Sequence, residues 1–255
     1  MRNSPDGIRI IPTILVDGVN VVKGREFINE RVVGNAYATA KVYGKRFIDE
    51  LMILDVKARS QDRLADIDLV KAFANELSVP FSIGGGINSL QDALKVIDQG
   101  AEKVVVGTSI LEHLDELENM ASTLGAQAIV VSIVFDGELG QFFNPSTRIS
   151  KKVDVVDALR RLSTSGAGEF LIQSRSHEGQ MSGVNHQALQ LVSTAITNPV
   201  IIGSGVGSTE HVVDAIKSGA GAVSIGSLFQ FTEMTPESLA VQLHDLGIPV
   251  RLPRQ

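Results

Sequence analysis

At 255 residues, with 44% apolar and 20% charged positions, the chain is long enough for one large barrel or two small domains and can bury a sizeable core. Its 23 Lys and Arg against 29 Asp and Glu leave a formal net charge of -6, and no basic run interleaves with aromatics, so nucleic-acid binding has little support. Cysteine is absent, which removes disulfides, thiol nucleophiles and thiolate metal sites together.

Residues 1–8 are polar and lack the apolar core of a signal peptide. Apolar runs such as residues 129–135 fall far short of the roughly 18 residues needed to span a bilayer. A soluble cytoplasmic protein with no membrane partner is expected. In chain order, short β-branched runs predict strands over 9–16, 50–56, 80–84, 103–107, 128–134, 169–174, 199–203 and 222–226, with helical patterns between them. Nearly continuous apolar strands point to a parallel sheet covered by helices, and eight of them favour closure, because an open sheet leaves edges to protect. The expectation is a single-domain α/β chain, residues 1–255, folded as a (β/α)8 TIM barrel.

An internal repeat supports it. Pro80, Ile83, Gly84, Gly86, Ser89, Ile97, Gly100, Ala101, Val104 and Gly107 fall on Pro199, Ile202, Gly203, Gly205, Ser208, Ile216, Gly219, Ala220, Val223 and Gly226. The same displacement, without a gap, sets Ile10, Ile14, Asp17 and Gly18 on Ile129, Ile133, Asp136 and Gly137, and Glu50 on Glu169. Two half-barrels follow, at about 9–125 and 128–245.

In each half a strand ends in glycines and meets a helix start, at Gly84–Ser89 and at Gly203–Ser208. Ser89 and Ser208 suit N-cap positions, with Asp92 placed as in a capping box. Glycines let backbone N–H groups approach an anion, and the helix N-terminus adds the positive end of its dipole. The next strand of each half ends in Gly107-Thr108-Ser109 and Gly226-Ser227, and paired loops of this kind form barrel phosphate sites. Gly86, Gly107, Thr108, Gly205, Gly226 and Ser227 are therefore candidate phosphate ligands, and two such sites across one mouth imply a bisphosphate. Tight βα turns would explain the glycines without any ligand. A dinucleotide fingerprint fits poorly, since Gly203–Ser208 reads G-x-G-x-G and no acid ends the following strand. No cofactor is expected, and His113, His177, His186, His211 and His244 show no metal spacing.

From Arg9-Ile10-Ile11-Pro12 to Gly247-Ile248-Pro249-Val250-Arg251 the chain resembles the cyclase subunit of imidazole glycerol phosphate synthase, a histidine-biosynthesis barrel that takes ammonia from a partner glutaminase. Val21–Gly24, Asp49-Glu50-Leu51, Leu54-Asp55, Gly84–Ile87, Gly166–Glu169 and Ser208 with Glu210-His211 carry the likeness. The resemblance implies an ammonia gate at the N-terminal face, formed by Arg9, Glu50, Lys103 and Glu169, with a class I glutaminase bound there. Charged residues at strand starts are also often plain solvated caps. Glu102, just before Lys103, matches the family's glutaminase contact.

Where the family carries its two catalytic aspartates, this chain has Leu15 and Val134, neither of which can transfer a proton. Asp17 and Asp136 lie two residues further on, on the same strand face, but Asp-Gly is also a common turn dipeptide. Asp55 matches a family acid. Lys23 matches the lysine of the family's mobile first loop, and residues 19–34 are long enough for a lid, though a surface lysine is equally open. In the sixth-strand loop only Glu178 keeps a carboxylate, while Arg175 and His177 are new. Three functions remain open: ammonia delivery to another acceptor through a third, amidotransferase protein, as in surface-sugar amidation; a working cyclase that relocates its acids to Asp17, Asp136 or Asp55; and a non-catalytic bisphosphate-binding barrel.

Overall fold

Consecutive apolar side chains suit strands buried on both faces, and each such run becomes a barrel strand. The computed structural model of the chain describes residues 7–137 and 139–253, so residues 1–6 of the polar N-terminal stretch lie outside it. In order, the strands are β1 (Arg9–Asp17), β2 (Asn20–Arg25), β3 (Ile28–Asn35), β4 (Leu51–Asp55), β5 (Phe81–Gly84), β6 (Lys103–Gly107), β7 (Ile129–Phe135), β8 (Gln141–Asn144), β9 (Ile149–Lys152), β10 (Glu169–Ser174), β11 (Val200–Ile202) and β12 (Ala222–Ile225). β1, β4, β5, β6, β7, β10, β11 and β12 run parallel, and the pairing of β7 with β10 closes the sheet. This is the (β/α)8 barrel expected from the sequence.

The helices are α1 (Ala36–Tyr43), α2 (Ile67–Glu76), α3 (Leu90–Ile97), α4 (Leu114–Leu124), α5 (Val155–Thr164), α6 (His186–Ala195), α7 (Thr209–Lys217), α8 (Ser227–Phe231) and α9 (Pro236–Asp245). Their starts are chemically marked. Ser89 accepts from the Asp92 amide and Ser208 from the His211 amide, satisfying helix-end donors that would otherwise be orphaned. Two cores result. Strand residues facing outward pack against the helices, while Ile11, Met52, Val105, Val130, Leu171, Ile201 and Ala222 fill the barrel interior. Among the described residues no helix is long and apolar enough to cross a membrane.

The remaining four strands form two hairpins, β2–β3 after β1 and β8–β9 after β7. Residues 19–34 thus fold largely as a two-stranded ribbon rather than an open loop. Asp17-Gly18 and Asp136-Gly137, where the glycines take φ of 55° and 58°, turn the chain out of β1 and β7 and back into these hairpins. Asp17, the last residue of β1, pairs with Asn20 at the start of β2.

Candidate functional site

Parallel strands put their first residues at one end of the barrel, and four charges converge there. Arg9 donates to Glu50 at 2.9 Å and also to Glu169. Lys103 donates to Glu50 at 2.9 Å and to Glu169 at 2.8 Å. Each cation therefore bridges both anions, and the ring is closed. Burial acts to raise the Glu169 pKa, but Arg9 and Lys103 outweigh it and hold the carboxyl below its ordinary value. Burial also disfavours the charged form of Arg9, and the two glutamates more than compensate. Two buried oxygens, Glu50 Oε1 and Ser82 Oγ, have no hydrogen-bond partner among the described residues.

Above the ring the interior is mostly hydrocarbon. It becomes polar further up, where the Thr13 and Ser224 hydroxyls lie 2.7 Å apart and Ser132 donates to Gln173 at 3.1 Å. At the C-terminal mouth two cavities meet and share Leu15, Gln173 and Glu178. The larger holds about 1180 Å³ of empty space, counting what is open to solvent, and is lined by Gly84–Asn88, Gly107–Ser109 and Asp55. The smaller is lined by Ser204–Val206, Gly226, Ser227 and Lys23. All six candidate phosphate ligands thus line the mouth, three in each cavity. At Gly86 φ is 72° and at Gly205 it is 87°, and an added Cβ at either would reach 2.0 Å or less from a carbonyl oxygen. Among the described residues the amides of Gly86, Ile87, Gly205 and Val206 find no acceptor, which leaves backbone donors in both loops.

The acids divide. Asp55 lines the larger cavity, buried, but its carboxylate accepts from the Lys57 and Ala58 amides and forms a two-pronged pair with Arg63 at 2.7 and 3.2 Å. Asp17 and Asp136 stand at the hairpin turns and line neither cavity. Asp136 accepts from Ser150 and, at 3.1 Å, from Arg175. Lys23 is 5% exposed, with its ammonium 3.8 Å from Glu178, and it lies against the backbone of Gly226. Its hairpin is docked, since the Glu26 amide donates to the Glu178 carbonyl at 3.0 Å. His177 borders the smaller cavity's loop without lining it; burial, then His186, holds its pKa below the usual imidazole value.

Several lining residues carry no mark in the sequence. Arg59 and Phe27 reach the larger cavity from the β4–α2 connection and the first hairpin tip, and Arg63 locks Asp55. Only the Asp-Gly turns hinted that hairpins would bring such groups to the mouth.

Compared with known proteins, residues 9–235 match the model of the histidine biosynthesis protein family. The imidazole glycerol phosphate synthase subunit HisF of Dictyoglomus thermophilum is 34% identical over 247 residues, covering 96% of this chain and 98% of that protein. The subunits of the same name from Thermococcus gammatolerans and Pyrococcus furiosus are each 33% identical over 246 residues, with the same coverage of both chains. On its motifs, its barrel and these near full-length likenesses, the chain belongs to the histidine biosynthesis protein family, with imidazole glycerol phosphate synthase subunits HisF among its relatives.

Proposed function

We propose that the chain is the barrel subunit of a glutamine-dependent ammonia-transfer assembly. A class I glutaminase docks at the N-terminal face, ammonia enters through Arg9, Glu50, Lys103 and Glu169, and a phosphorylated small molecule occupies the mouth. The observation that carries this is the pairing of a closed charge ring at one end with two glycine cradles at the other. The unpartnered Glu50 Oε1 and Ser82 Oγ add acceptors that suit a small N–H donor inside the ring.

Ring closure inside the mouth is disfavoured. General acid–base work needs a group free to exchange a proton with the substrate. Leu15 and Val134 cannot, Asp55 is held by Arg63, and Asp17 and Asp136 lie outside the lining. Delivery of ammonia to another acceptor, through a third, amidotransferase protein as in surface-sugar amidation, accords better with these residues.

The test mixes the purified chain with any class I glutaminase encoded beside its gene. Glutamine hydrolysis is expected to rise roughly tenfold on mixing, within the span of ordinary site-to-site coupling. With saturating ammonium the family's bisphosphate substrate should yield no imidazole product. Product would restore a cyclase working through Asp17, Asp136 or Asp55. Neither association nor stimulation would sink the transfer assembly and leave a non-catalytic bisphosphate-binding barrel.

A further inference from the structure

We propose that the larger cavity of the mouth selects a phosphate ester whose body is apolar and ring-shaped, such as an aryl phosphate, rather than a polyhydroxylated one. This rests on reading the glycine loops as phosphate cradles. Beside Gly84–Asn88 and Gly107–Ser109 the floor is hydrocarbon, made of Leu15, Leu54, Val105 and Val134. Leu15 and Leu54 are neighbours in register on β1 and β4, and both remain half-exposed to the cavity. Val105 lies across Gly84, where an added Cβ would strike Leu54 at 2.7 Å, so glycine keeps this part of the floor open. Phe27 adds an aromatic face from the first hairpin.

Most of the charged and amide side chains around that floor are engaged with the protein, and the hydroxyls of Thr108, Ser109 and Ser146 stand at its rim beside the glycine loops. Asp55 is paired with Arg63 and Glu30 with Lys57; Glu178 accepts from Ser204 at 2.7 Å. Asn88 donates to the Gly86 carbonyl, Asn144 accepts from the Ser146 amide, and Ser132 donates to Gln173. A sugar ring placed here would lose water from its hydroxyls and find few acceptors free in return, a net cost. An apolar ring loses no hydrogen bonds and gains contact with the floor. Among the described lining residues the one cation is Arg59, whose guanidinium makes no side-chain hydrogen bond or close ion pair and feels only the longer-range charge of Glu112, so it is placed to meet the phosphate.

Calorimetric titration of the full chain with inorganic phosphate, phenyl phosphate and ribose 5-phosphate separates the possibilities. Phenyl phosphate is expected to bind about tenfold or more tighter than ribose 5-phosphate, the discrimination an apolar pocket ordinarily achieves. Val134→Asp, and separately Leu15→Asn at a more exposed position, should bring that ratio to about one or invert it, with thermal unfolding reporting which variant is folded. Equal binding of the two esters, a preference for the sugar phosphate, or a ratio unmoved in a folded variant overturns the inference while leaving the cradles standing. Failure of all three probes to bind overturns the phosphate cradles themselves.

Discussion

At Gly86 the chain turns with φ of 72°, and an added Cβ would lie 1.9 Å from the Arg63 carbonyl oxygen. Gly86→Ala therefore combines a left-handed backbone with a clash against main chain that cannot swing aside. Urea unfolding should show a loss of about 2–3 kcal/mol, and phosphate titration should show the cradle disabled. The equivalent turn in the second half is built differently. Ser204 stands where the repeat has Gly85, and it holds φ of 68° without being glycine. Its hydroxyl donates at 2.7 Å to the buried carboxylate of Glu178, which faces Lys23. Ser204→Ala keeps the strained backbone and loses a hydrogen bond to a charged group, at a cost of about 2 kcal/mol. Ser204→Gly loses the same bond but relieves roughly 1 kcal/mol of backbone strain, so its urea midpoint should fall between those of Ser204→Ala and the unmodified chain.

Between the two hairpins a clasp forms over the mouth. Phe27 at the tip of β2–β3 meets Phe143 of β8, with ring centroids 5.9 Å apart, and the Arg175 guanidinium lies 4.4 Å from the centre of the Phe143 ring. Arg175 is fixed in turn by Asp136, at the start of the second hairpin. Glu26 and Phe27 occupy the tight turn with φ of 52° and 61°, a conformation that Asn-Gly would adopt more cheaply. The contact with Phe143 offsets that strain. Phe27→Ala should remove about 1 kcal/mol of aromatic contact without touching the barrel core. Amide exchange should then quicken across Asn20–Asn35 while the barrel strands keep their protection. Uniform quickening across all strands would show instead that the hairpin is not a separable unit.

Across the whole barrel the charge ring links β1, the start of β4, β6 and β10, elements distant in sequence. Glu169→Gln leaves Arg9 and Lys103 sharing one carboxylate in a largely buried place. Because both cations keep some contact with water, the loss should sit at the lower end for a broken buried pair, about 3 kcal/mol by urea unfolding. The pH dependence has a definite sign. The folded pKa of Glu169 lies below its unfolded value, so its stabilisation is fully present above the ordinary carboxylate range and is lost as pH falls through the depressed value. Thermal unfolding temperatures should therefore drop more steeply with acid for the native chain than for Glu169→Gln. Parallel curves would mean that the ring contributes nothing through this group.

The eight barrel strands were legible as β-branched runs, their boundaries within a residue or two, because a strand buried on both faces must be apolar along its length. The glycine turns at Gly86 and Gly205 were legible too, since left-handed turns select glycine locally, and so were the serine caps. Lys23 was not: a lysine in a long connection reads as surface, and only the docking of β2–β3 buries it against Gly226. Nor could the sequence tell that Arg63 would neutralise Asp55 eight positions away, or that Asp17 and Asp136 would turn hairpins rather than face the cavity.

By itself, then, the sequence determined the barrel, its glycine loops, the four charges and the hydrocarbon at Leu15 and Val134, all properties written in residue type and spacing. Tertiary structure alone decided that the four charges close into one ring, that the acids near the mouth are occupied by the protein, and that two hairpins meet above an apolar floor. Those outcomes depend on side chains brought together by barrel closure, and no local pattern records which partners closure will supply.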